Sequence, residues 1–431
     1  MGALYSAYQL TNLQRRLFWT EERLRALRRC KFRRLMDFCY HRIPYYREKF
    51  LEIGATPEDF REPEDLVRFP LLEKETLRDR IEDFFDPSAD RSKIIRYRSS
   101  GSTGIPLELC YYPSERLKMG FVVTRELFFH GMKPWHRLVN ITEPRHSTPK
   151  NRWYHRLGIM HERFLSIYDS ADMNLRELQL LRPQALIGFP SVLMLIGREM
   201  NAAGGMPLRP RLLFTIAEVL AAEDRQILTE QWGANPVDLY GANEVGHIAF
   251  QCRRREGYHI NVDTLHVEIL TGTRPAKPGG LGEIVVTHFD LRVVPILRYR
   301  VGDVSAFQEG ECACGCRFPR LRHITGRSDG FIQGADGTLL SALEVSLLLK
   351  SLRDVDQYRL IQEDPSHITV EWKAKTAEAH PEERIQEFLR QRLGDAFRID
   401  IIRVTEIPRE RSGKIRTVIS RLPHPFWSDG S

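Results

Sequence analysis

A short loop rich in serine and glycine carries the densest group of phosphate-binding residue types in the chain. It follows a β-like run over residues 94–97 and reads Ser99, Ser100, Gly101, Ser102, Thr103, Gly104, Ile105 and Pro106. Glycines let the backbone turn tightly, and the backbone N–H and hydroxyl groups can donate to phosphate oxygens. Because Ile105 stands where a Walker A loop needs Lys, the alternatives are another kind of phosphate-binding loop or a flexible turn.

Two later segments place a carboxylate beside an expected strand. The sequence Asp-Leu-Tyr-Gly-Ala-Asn-Glu over residues 238–244 puts Glu244 just beyond a buried strand, where open α/β sheets place ligand groups. A carboxylate in that position can hold Mg²⁺ against nucleotide phosphates. Residues 298–303 place Asp303 on a turn, where an ionised carboxylate could accept two ribose hydroxyls. The alternative for Asp303 is the common turn-capping role.

Two polar segments lie in the last quarter of the chain, one at its start and one near its end. Gly-Arg-Ser-Asp over residues 326–329 lies at a break in the secondary-structure pattern, and residues 408–416 form a basic loop that contains Lys414. The alternative for the second segment is a solvated turn.

A cluster of cysteines indicates metal or redox chemistry. Cys312, Cys314 and Cys316 lie within five residues, and Cys252 and His259 lie upstream around a glycine-containing loop. Seven cysteines are too few for a disulfide scaffold in 431 residues. Thiolates with one imidazole would form a closed, structural zinc site, and the alternative is a set of reduced cysteines without metal.

The elements that must position these residues alternate between strands and helices. Buried strands are predicted at residues 138–142, 185–189, 212–216 and 237–240, with helices at 191–203 and 221–232 between them. This alternation favours a mainly parallel sheet covered by helices. A glycine- and proline-rich turn then joins residues 265–270 to 283–288, which predicts a more antiparallel section.

A compact α+β pattern follows Gly326. It predicts helices at residues 342–352 and 382–393, and strands at 357–362, 368–372 and 399–404. About a hundred residues are enough for a small independent lobe.

The positive charge is concentrated near the N-terminus. Residues 15–34 hold nine Lys or Arg and two Glu, an excess equal to the whole net charge of +7. The rest of the chain is therefore close to neutral, which excludes a diffuse nucleic-acid-binding surface. Residues 10–38 are predicted to form one helix that packs on the main body with a solvated basic face. The alternative is docking to an anionic membrane or to an acidic carrier protein.

Length and composition set further bounds. At 431 residues, with 42% hydrophobic and 28% charged residues, the chain is expected to form two or more soluble domains. The longest apolar stretch, residues 185–197, is too short to span a bilayer and contains Pro190. Because residues 1–6 lack the pattern of a signal peptide, we expect a cytoplasmic protein.

Five of the segments described above occur in a fixed order along the chain: residues 99–106, 238–244, 298–303, 326–329 and 408–416. In this order they resemble the adenylate-forming superfamily of acyl-CoA synthetases and adenylation domains. The resemblance is greatest to the branch of phenylacetate-CoA ligase and coenzyme F390 synthetase, especially its CapK-like members. It extends to residues 40–47 and to residues 69–74, Phe-Pro-Leu-Leu-Glu-Lys, so it covers nearly the whole chain.

The resemblance implies a fold and a reaction. It implies an α/β protein with a large N-terminal AMP-binding domain of layered, mostly parallel sheets over residues 1–326, and a small mobile α+β lobe over 327–431. ATP and Mg²⁺ would convert a carboxylic acid to an acyl-adenylate with release of pyrophosphate. The acyl group would then pass to CoA or to carrier phosphopantetheine. The alternative is a non-thiol acceptor, as in an amide-forming ligase or an adenylyltransferase of the F390 synthetase type.

It also implies roles for individual residues. Ser99 to Gly104 would bind phosphate, Tyr240 with Gly241 would lie near adenine, and Glu244 would bind Mg²⁺. Asp303 would hold the ribose, and Arg327 would contact ribose or phosphate. Asp329 would be the hinge, and Lys414 would be catalytic. CapK-like relatives carry a pattern that implies four zinc ligands here: Cys252, His259, Cys312 and Cys314. Cys316 is the competing ligand.

The organic part of the acid is expected to lie along the sheet edge. Four residues at or near strand ends are predicted to line its pocket: Phe189, Pro190, Phe214 and Ala217.

Overall fold

The computed structural model describes residues 3–98, 107–143, 158–204, 207–328, 330–334, 338–342, 344–345, 355–374, 380–394, 397–408 and 417–422. The described α-helices are α1 Ala3–Arg16, α2 Glu21–Arg42, α3 Pro44–Glu52, α4 Lys74–Asp79, α5 Pro113–Phe129, α6 Ala171–Leu181, α7 Pro190–Ala202, α8 Ala222–Trp232 and α9 Glu382–Leu393. Short 3₁₀ helices lie at Pro57–Asp59, Pro63–Arg68, Ile81–Phe84 and Arg91–Lys93.

The strands of the N-terminal part are β1 Ile95–Arg98, β2 Glu108–Tyr111, β3 Leu138–Thr142, β4 Glu162–Ser166, β5 Ala185–Gly188, β6 Leu212–Ile216, β7 Val237–Ala242, β8 Gly246–Gln251, β9 Tyr258–Ile260, β10 Leu265–Thr271, β11 Arg274–Pro275, β12 Gly282–His288, β13 Tyr299–Ser305, β14 Phe307–Gln308, β15 Arg320–Leu321 and β16 Gly326–Arg327. The later strands are β17 Phe331–Gln333, β18 Leu339–Ser341, β19 Val355–Asp364, β20 His367–Ala374, β21 Arg398–Arg403 and β22 Val418–Ser420.

A nine-stranded sheet forms the main body, in the order β14-β15-β9-β8-β7-β6-β5-β3-β4. Strands β4, β3, β5, β6 and β7 are parallel, and β8 turns back antiparallel to β7. Their apolar runs are buried on both faces, as a helix-covered parallel sheet requires. The α/β architecture predicted from the sequence is therefore confirmed, and β3 and β6 have the predicted bounds.

A second, five-stranded sheet is antiparallel, in the order β11-β10-β12-β13-β16. Strands β10 and β12 pair from Leu265 opposite His288 to Leu270 opposite Glu283. This confirms the predicted antiparallel section. The sheet positions β13, the strand that carries Asp303, and β16 pairs with it so that Arg327 lies opposite Asp303.

The single helix predicted over residues 10–38 is wrong, because the chain forms two helices there. Helix α1 ends at Arg16 and α2 begins at Glu21. The break coincides with a tertiary contact: the Leu17 side chain is fully buried, and its carbonyl accepts a hydrogen bond of 2.7 Å from the Arg317 amide. A contact with a residue three hundred positions away leaves no local signal in the sequence.

The predicted packing of this basic region on the body is confirmed, but much of its charge is neutralised. Arg16 pairs with Asp263 at 3.2 Å, Arg28 with Glu64 at 3.0 Å, and Lys31 with Asp290 at 2.5 Å. Several arginines stay exposed, including Arg33 and Arg34. Docking of this surface to a membrane or a carrier protein stays a prediction. Within the described residues, no helix is long and apolar enough to cross a bilayer.

The C-terminal residues form a four-stranded sheet, in the order β21-β20-β19-β22, with α9 against it. The separate core of this part includes Leu360, Trp372 and Leu389. The helix predicted over residues 382–393 is confirmed with the same bounds as α9. Most of the helix predicted over residues 342–352 lies outside the described residues, and the boundary at residue 326 stays a prediction.

Candidate active site and metal centre

A hydrogen-bonded group of three side chains joins the two large sheets. The hydroxyl of Tyr240, near the end of β7, donates to Oδ2 of Asp303 on β13 at 2.8 Å. The guanidinium of Arg327 lies 3.3 Å from the other carboxylate oxygen and also donates to the Val301 carbonyl at 2.9 Å. Gly302 makes room for this guanidinium, since a Cβ at its φ of +80° would lie 2.5 Å from an Arg327 nitrogen. Three residues predicted to surround the nucleoside are thus brought together.

The Asp303 carboxylate is set up as a hydrogen-bond acceptor. Burial raises its pKa from the ordinary value, and the Arg327 guanidinium and the Tyr240 hydroxyl oppose that shift. Each carboxylate oxygen has two lone pairs, so acceptor capacity remains after these contacts. This geometry suits a pair of ribose hydroxyls.

Glu244 lies at the turn between β7 and β8 and is 8% exposed. The Lys74 ammonium lies 3.7 Å from one carboxylate oxygen. Burial and the nearby Glu244 carboxylate raise the pKa of the Tyr299 hydroxyl. The Tyr111 hydroxyl fixes the backbone of the turn by donating to the Asn243 carbonyl at 2.6 Å. A buried carboxylate held in this way can bind a divalent cation.

Glycine is required at position 241 for this turn. A Cβ on Gly241 would lie 2.6 Å from the Gly246 carbonyl oxygen, where the hairpin strands approach each other. The residue predicted as part of the nucleotide site therefore also permits the hairpin that presents Glu244.

Lys74 is a site residue whose role the sequence did not reveal. It is the first residue of α4, and the segment before it is attached to β13: the Leu72 amide donates to the Arg298 carbonyl at 2.9 Å, and the Arg300 amide donates to the Leu72 carbonyl at 3.1 Å. The only available signal was its place in the 69–74 segment, because Lys74 and Glu244 are far apart in the chain.

Three predicted parts of the site lie outside the described residues. These are the Ser99–Gly104 loop, residue Asp329 and residue Lys414. The strands on either side of the loop, β1 and β2, pair antiparallel with Arg98 opposite Glu108.

The four residues predicted to line the acid pocket lie in or directly after β5 and β6. Phe189 is half-buried, Pro190 begins α7, and Ala217 is exposed with a φ of +67°. The Phe214 ring is fully buried within β6, at 6.1 Å from the His130 ring. Three of the four thus lie at the carboxyl edge of the sheet, whereas Phe214 contributes to the core.

The predicted zinc ligands converge. One ligand atom from each of Cys252, His259, Cys312 and Cys314 lies within 4.8 Å of all the others. The Cys252 and Cys312 sulfurs are 3.1 Å apart, and His259 Nε2 is 3.2 Å from the Cys314 sulfur. Cys316 is buried but is not part of this cluster. The loop after β8 is thereby brought against the segment after β14.

The groups around this cluster suit a closed zinc site. His259 Nδ1 lies 2.8 Å from the Phe318 carbonyl, a contact that places the proton on Nδ1 and leaves Nε2 as the ligand atom. Backbone amides donate to two of the sulfurs, Arg254 to Cys252 at 3.2 Å and Cys316 to Cys314 at 3.4 Å. Three thiolates and one imidazole are a typical donor set for structural zinc.

A carboxylate also lies inside the sheet behind the site. Asp238 on β7 accepts hydrogen bonds from Thr215 at 2.6 Å and from Tyr258 at 2.8 Å. Burial raises the pKa of Asp238 to about 6. Its hydrogen bonds connect three strands, so we assign it a structural role.

Comparisons with known proteins agree with this architecture. Residues 332–421 match the family model of the CapK C-terminal domain. The chain is 26% identical over 433 residues to phenylacetate-coenzyme A ligase of Thermus thermophilus, covering 92% of this chain and 96% of that protein. It is 22% identical over 379 residues to protein CapK of Staphylococcus aureus, covering 83% and 81%. Among solved structures, a 2-hydroxyisobutyryl-CoA ligase in the postadenylation state has a TM-score of 0.73 at 18% identity, covering 94% of this chain and 91% of that chain.

Proposed function

We propose that this chain, a relative of the phenylacetate-CoA ligases and of CapK with the fold of the adenylate-forming CoA ligases, activates a carboxylic acid with ATP. The observation that carries the proposal is the proximity of two groups at the carboxyl edge of the parallel strands. Tyr240, Asp303 and Arg327 form a nucleoside-binding group, and Glu244 with Lys74 lies at the turn that follows Tyr240. This edge is where open α/β sheets bind ligands.

In the first step, an oxygen of the substrate carboxylate attacks the α-phosphorus of ATP. The bond from that phosphorus to the bridging oxygen breaks, and pyrophosphate leaves with the electron pair. The product is a mixed anhydride, the acyl-adenylate. Since little proton transfer is needed, catalysis depends on positioning and on stabilisation of charge.

Positioning and charge stabilisation are assigned to separate residues of the chain. Asp303 and Arg327 orient the nucleoside, and Ser99 to Gly104 would donate to the phosphates. Glu244 would hold Mg²⁺, which supplies charge neutralisation on the phosphate oxygens when bound. Lys74, next to Glu244, provides a cation on the same side. Lys414 would stabilise the charge that builds at the carboxylate and the α-phosphate.

In the second step, we propose that a thiol of CoA or of a carrier phosphopantetheine attacks the acyl carbonyl. The thiol loses its proton, a thioester bond forms, and AMP leaves with the anhydride oxygen. The relatives named as coenzyme A ligases favour a thiol over an amine or a hydroxyl. Transfer to a non-thiol acceptor is the alternative outcome of the test.

We further propose that the four-residue cluster holds zinc as a structural ion. It would fasten residues 252–259, which follow the Glu244 hairpin, to residues 312–314, which lie between Asp303 and Arg327. Its ligands are protein side chains on all sides, so it would stabilise the site without binding substrate.

Acid-dependent exchange of labelled pyrophosphate into ATP tests the first step, because exchange requires reversible formation of an adenylate. Mass spectrometry of products formed with CoA, a carrier protein, an amine or an alcohol then identifies the acceptor. A chain that only binds its ligands would show no exchange with any acid.

A further inference from the structure

A partly open cavity of about 180 Å³ lies beside α1, α5 and the start of β8. Cavities of roughly 150 Å³ accommodate a benzene-sized ring. One wall is formed by Val245, the residue that directly follows Glu244. The cavity therefore borders the hairpin that presents the proposed magnesium ligand. Other apolar wall residues are Leu13, Val122 and Leu291.

A histidine held by a buried carboxylate lines the same cavity. The Nδ1 atom of His247 lies 2.6 Å from Oε2 of Glu126, which is fully buried and accepts a second hydrogen bond of 2.7 Å from Asn261. The Nε2 atom of His247 has no hydrogen-bond partner among the described residues, and 21% of the side chain is exposed. The contact with Glu126 raises the pKa of His247 although burial lowers it. His247 can thus offer an N–H donor to the cavity.

Most other charged groups around the cavity already have partners. Glu115 accepts hydrogen bonds from backbone amides, including that of Tyr112 at 2.7 Å. Lys31 pairs with Asp290, and Arg16 pairs with Asp263. The charges of these groups are therefore largely balanced by neighbouring groups of the protein.

One further cation remains. Lys118 on α5 lines the cavity, is exposed, and forms no hydrogen bond or salt bridge with the described residues. Lys118 and His247 can both donate from the cavity wall, and the Gln9 amide on α1 can donate or accept there. A molecule that fills the cavity would therefore combine an apolar body with an acceptor group.

We infer that this cavity receives the organic part of the acid, and that His247 and Lys118 select acids bearing a hydroxyl, keto or second carboxylate group. The inference rests on the proposed adenylation and specifies its substrate class. It places the selective contact on residues outside the predicted set of Phe189, Pro190, Phe214 and Ala217. An acid without the acceptor group would leave the donors without a partner when they are desolvated, which disfavours its binding.

Pyrophosphate exchange with matched acids tests the inference. Each pair shares one aromatic or branched skeleton, with and without the acceptor group, and kcat/KM is measured for the wild type, His247→Leu and Lys118→Met. Lys133→Met, which removes another exposed lysine, is the control. For the substituted acid, His247→Leu should lower kcat/KM about tenfold or more, the loss expected for a charged hydrogen bond. For the matched acid without the acceptor group, the same variant should change kcat/KM less.

A further variant tests the cavity without altering the His247–Glu126 pair. Val122→Phe adds bulk to the cavity wall and should shift the preference towards smaller acids. If the wild type catalyses exchange but neither the His247 nor the Lys118 change alters discrimination within any pair, the cavity is not the acid pocket. If the wild type catalyses no exchange with any acid, the proposed function itself fails, and the inference with it.

Discussion

The hydroxyl of Tyr240 donates to the carboxylate of Asp303 across 2.8 Å and thereby connects the nine-stranded sheet to the five-stranded sheet. The two residues are 63 positions apart in the chain. The contact fixes the carboxylate that we expect to bind ribose against the residue that we expect to lie near adenine. Nucleotide binding should therefore depend on both residues, but unequally.

Asp303→Ala should weaken ATP binding about tenfold, because it removes an acceptor that binds the ribose hydroxyls. Tyr240→Phe, which deletes only the hydroxyl, should weaken it less. Calorimetric titration with a non-hydrolysable ATP analogue measures both. Equal affinity of the wild type and the Asp303 variant would exclude the carboxylate from the ribose site.

Glu244→Gln should raise the Mg²⁺ concentration needed for half-maximal activity, since a neutral amide is a weaker ligand for a hard cation. Glu177→Gln, at an exposed position on α6, is the matched control. The measurement is a Mg²⁺ titration of pyrophosphate exchange at fixed ATP. An unchanged requirement would remove Glu244 from the metal site.

Purified protein should contain close to one equivalent of zinc, and chelation should lower the thermal midpoint before it alters the chemistry. Cys252→Ser and Cys312→Ser should each lose the metal, because either change opens the ligand shell. Cys316→Ser should retain it, since that sulfur lies outside the cluster. Elemental analysis of the three variants tests this, and metal-free wild type from zinc-replete expression would refute the site.

Arg125→Met should destabilise the fold by about 3 kcal/mol, the scale for breaking a buried ion pair. The side chain is fully buried, lies 2.8 Å from Asp263 and donates to Asn261 at 2.6 Å. Arg25→Met, which removes an exposed pair with Glu21, should cost less than about 1 kcal/mol. Denaturant titration measures the free energy of unfolding of both variants. Equal losses would contradict a larger contribution of the buried ion pair to stability.

Local patterns predicted the strands and helices of the sheet because each buried strand is a short apolar run with its own boundaries. Strands β3 and β6 and helix α9 have the predicted bounds. The zinc ligand set also converges as predicted, with His259 among the three cysteines.

Features that depend on distant partners escaped prediction. The break between α1 and α2 coincides with the contact between Leu17 and Arg317, and the charge of Arg16 is neutralised by Asp263. Lys74 meets Glu244 only because the segment before α4 is bonded to β13. The cavity beside His247 likewise requires elements that are far apart in the sequence, among them α1, α5 and β12.

The most direct test of the account is pyrophosphate exchange with a broad panel of carboxylic acids, run on the wild type and on Lys414→Ala. We predict exchange in the wild type that depends on an added acid, and a loss of at least about a hundredfold in the variant, or roughly 2.7 kcal/mol of barrier, with ATP affinity little changed. Wild-type protein that binds ATP but exchanges pyrophosphate with no acid would contradict adenylation, and a variant rate within about threefold of wild type would contradict the role of Lys414.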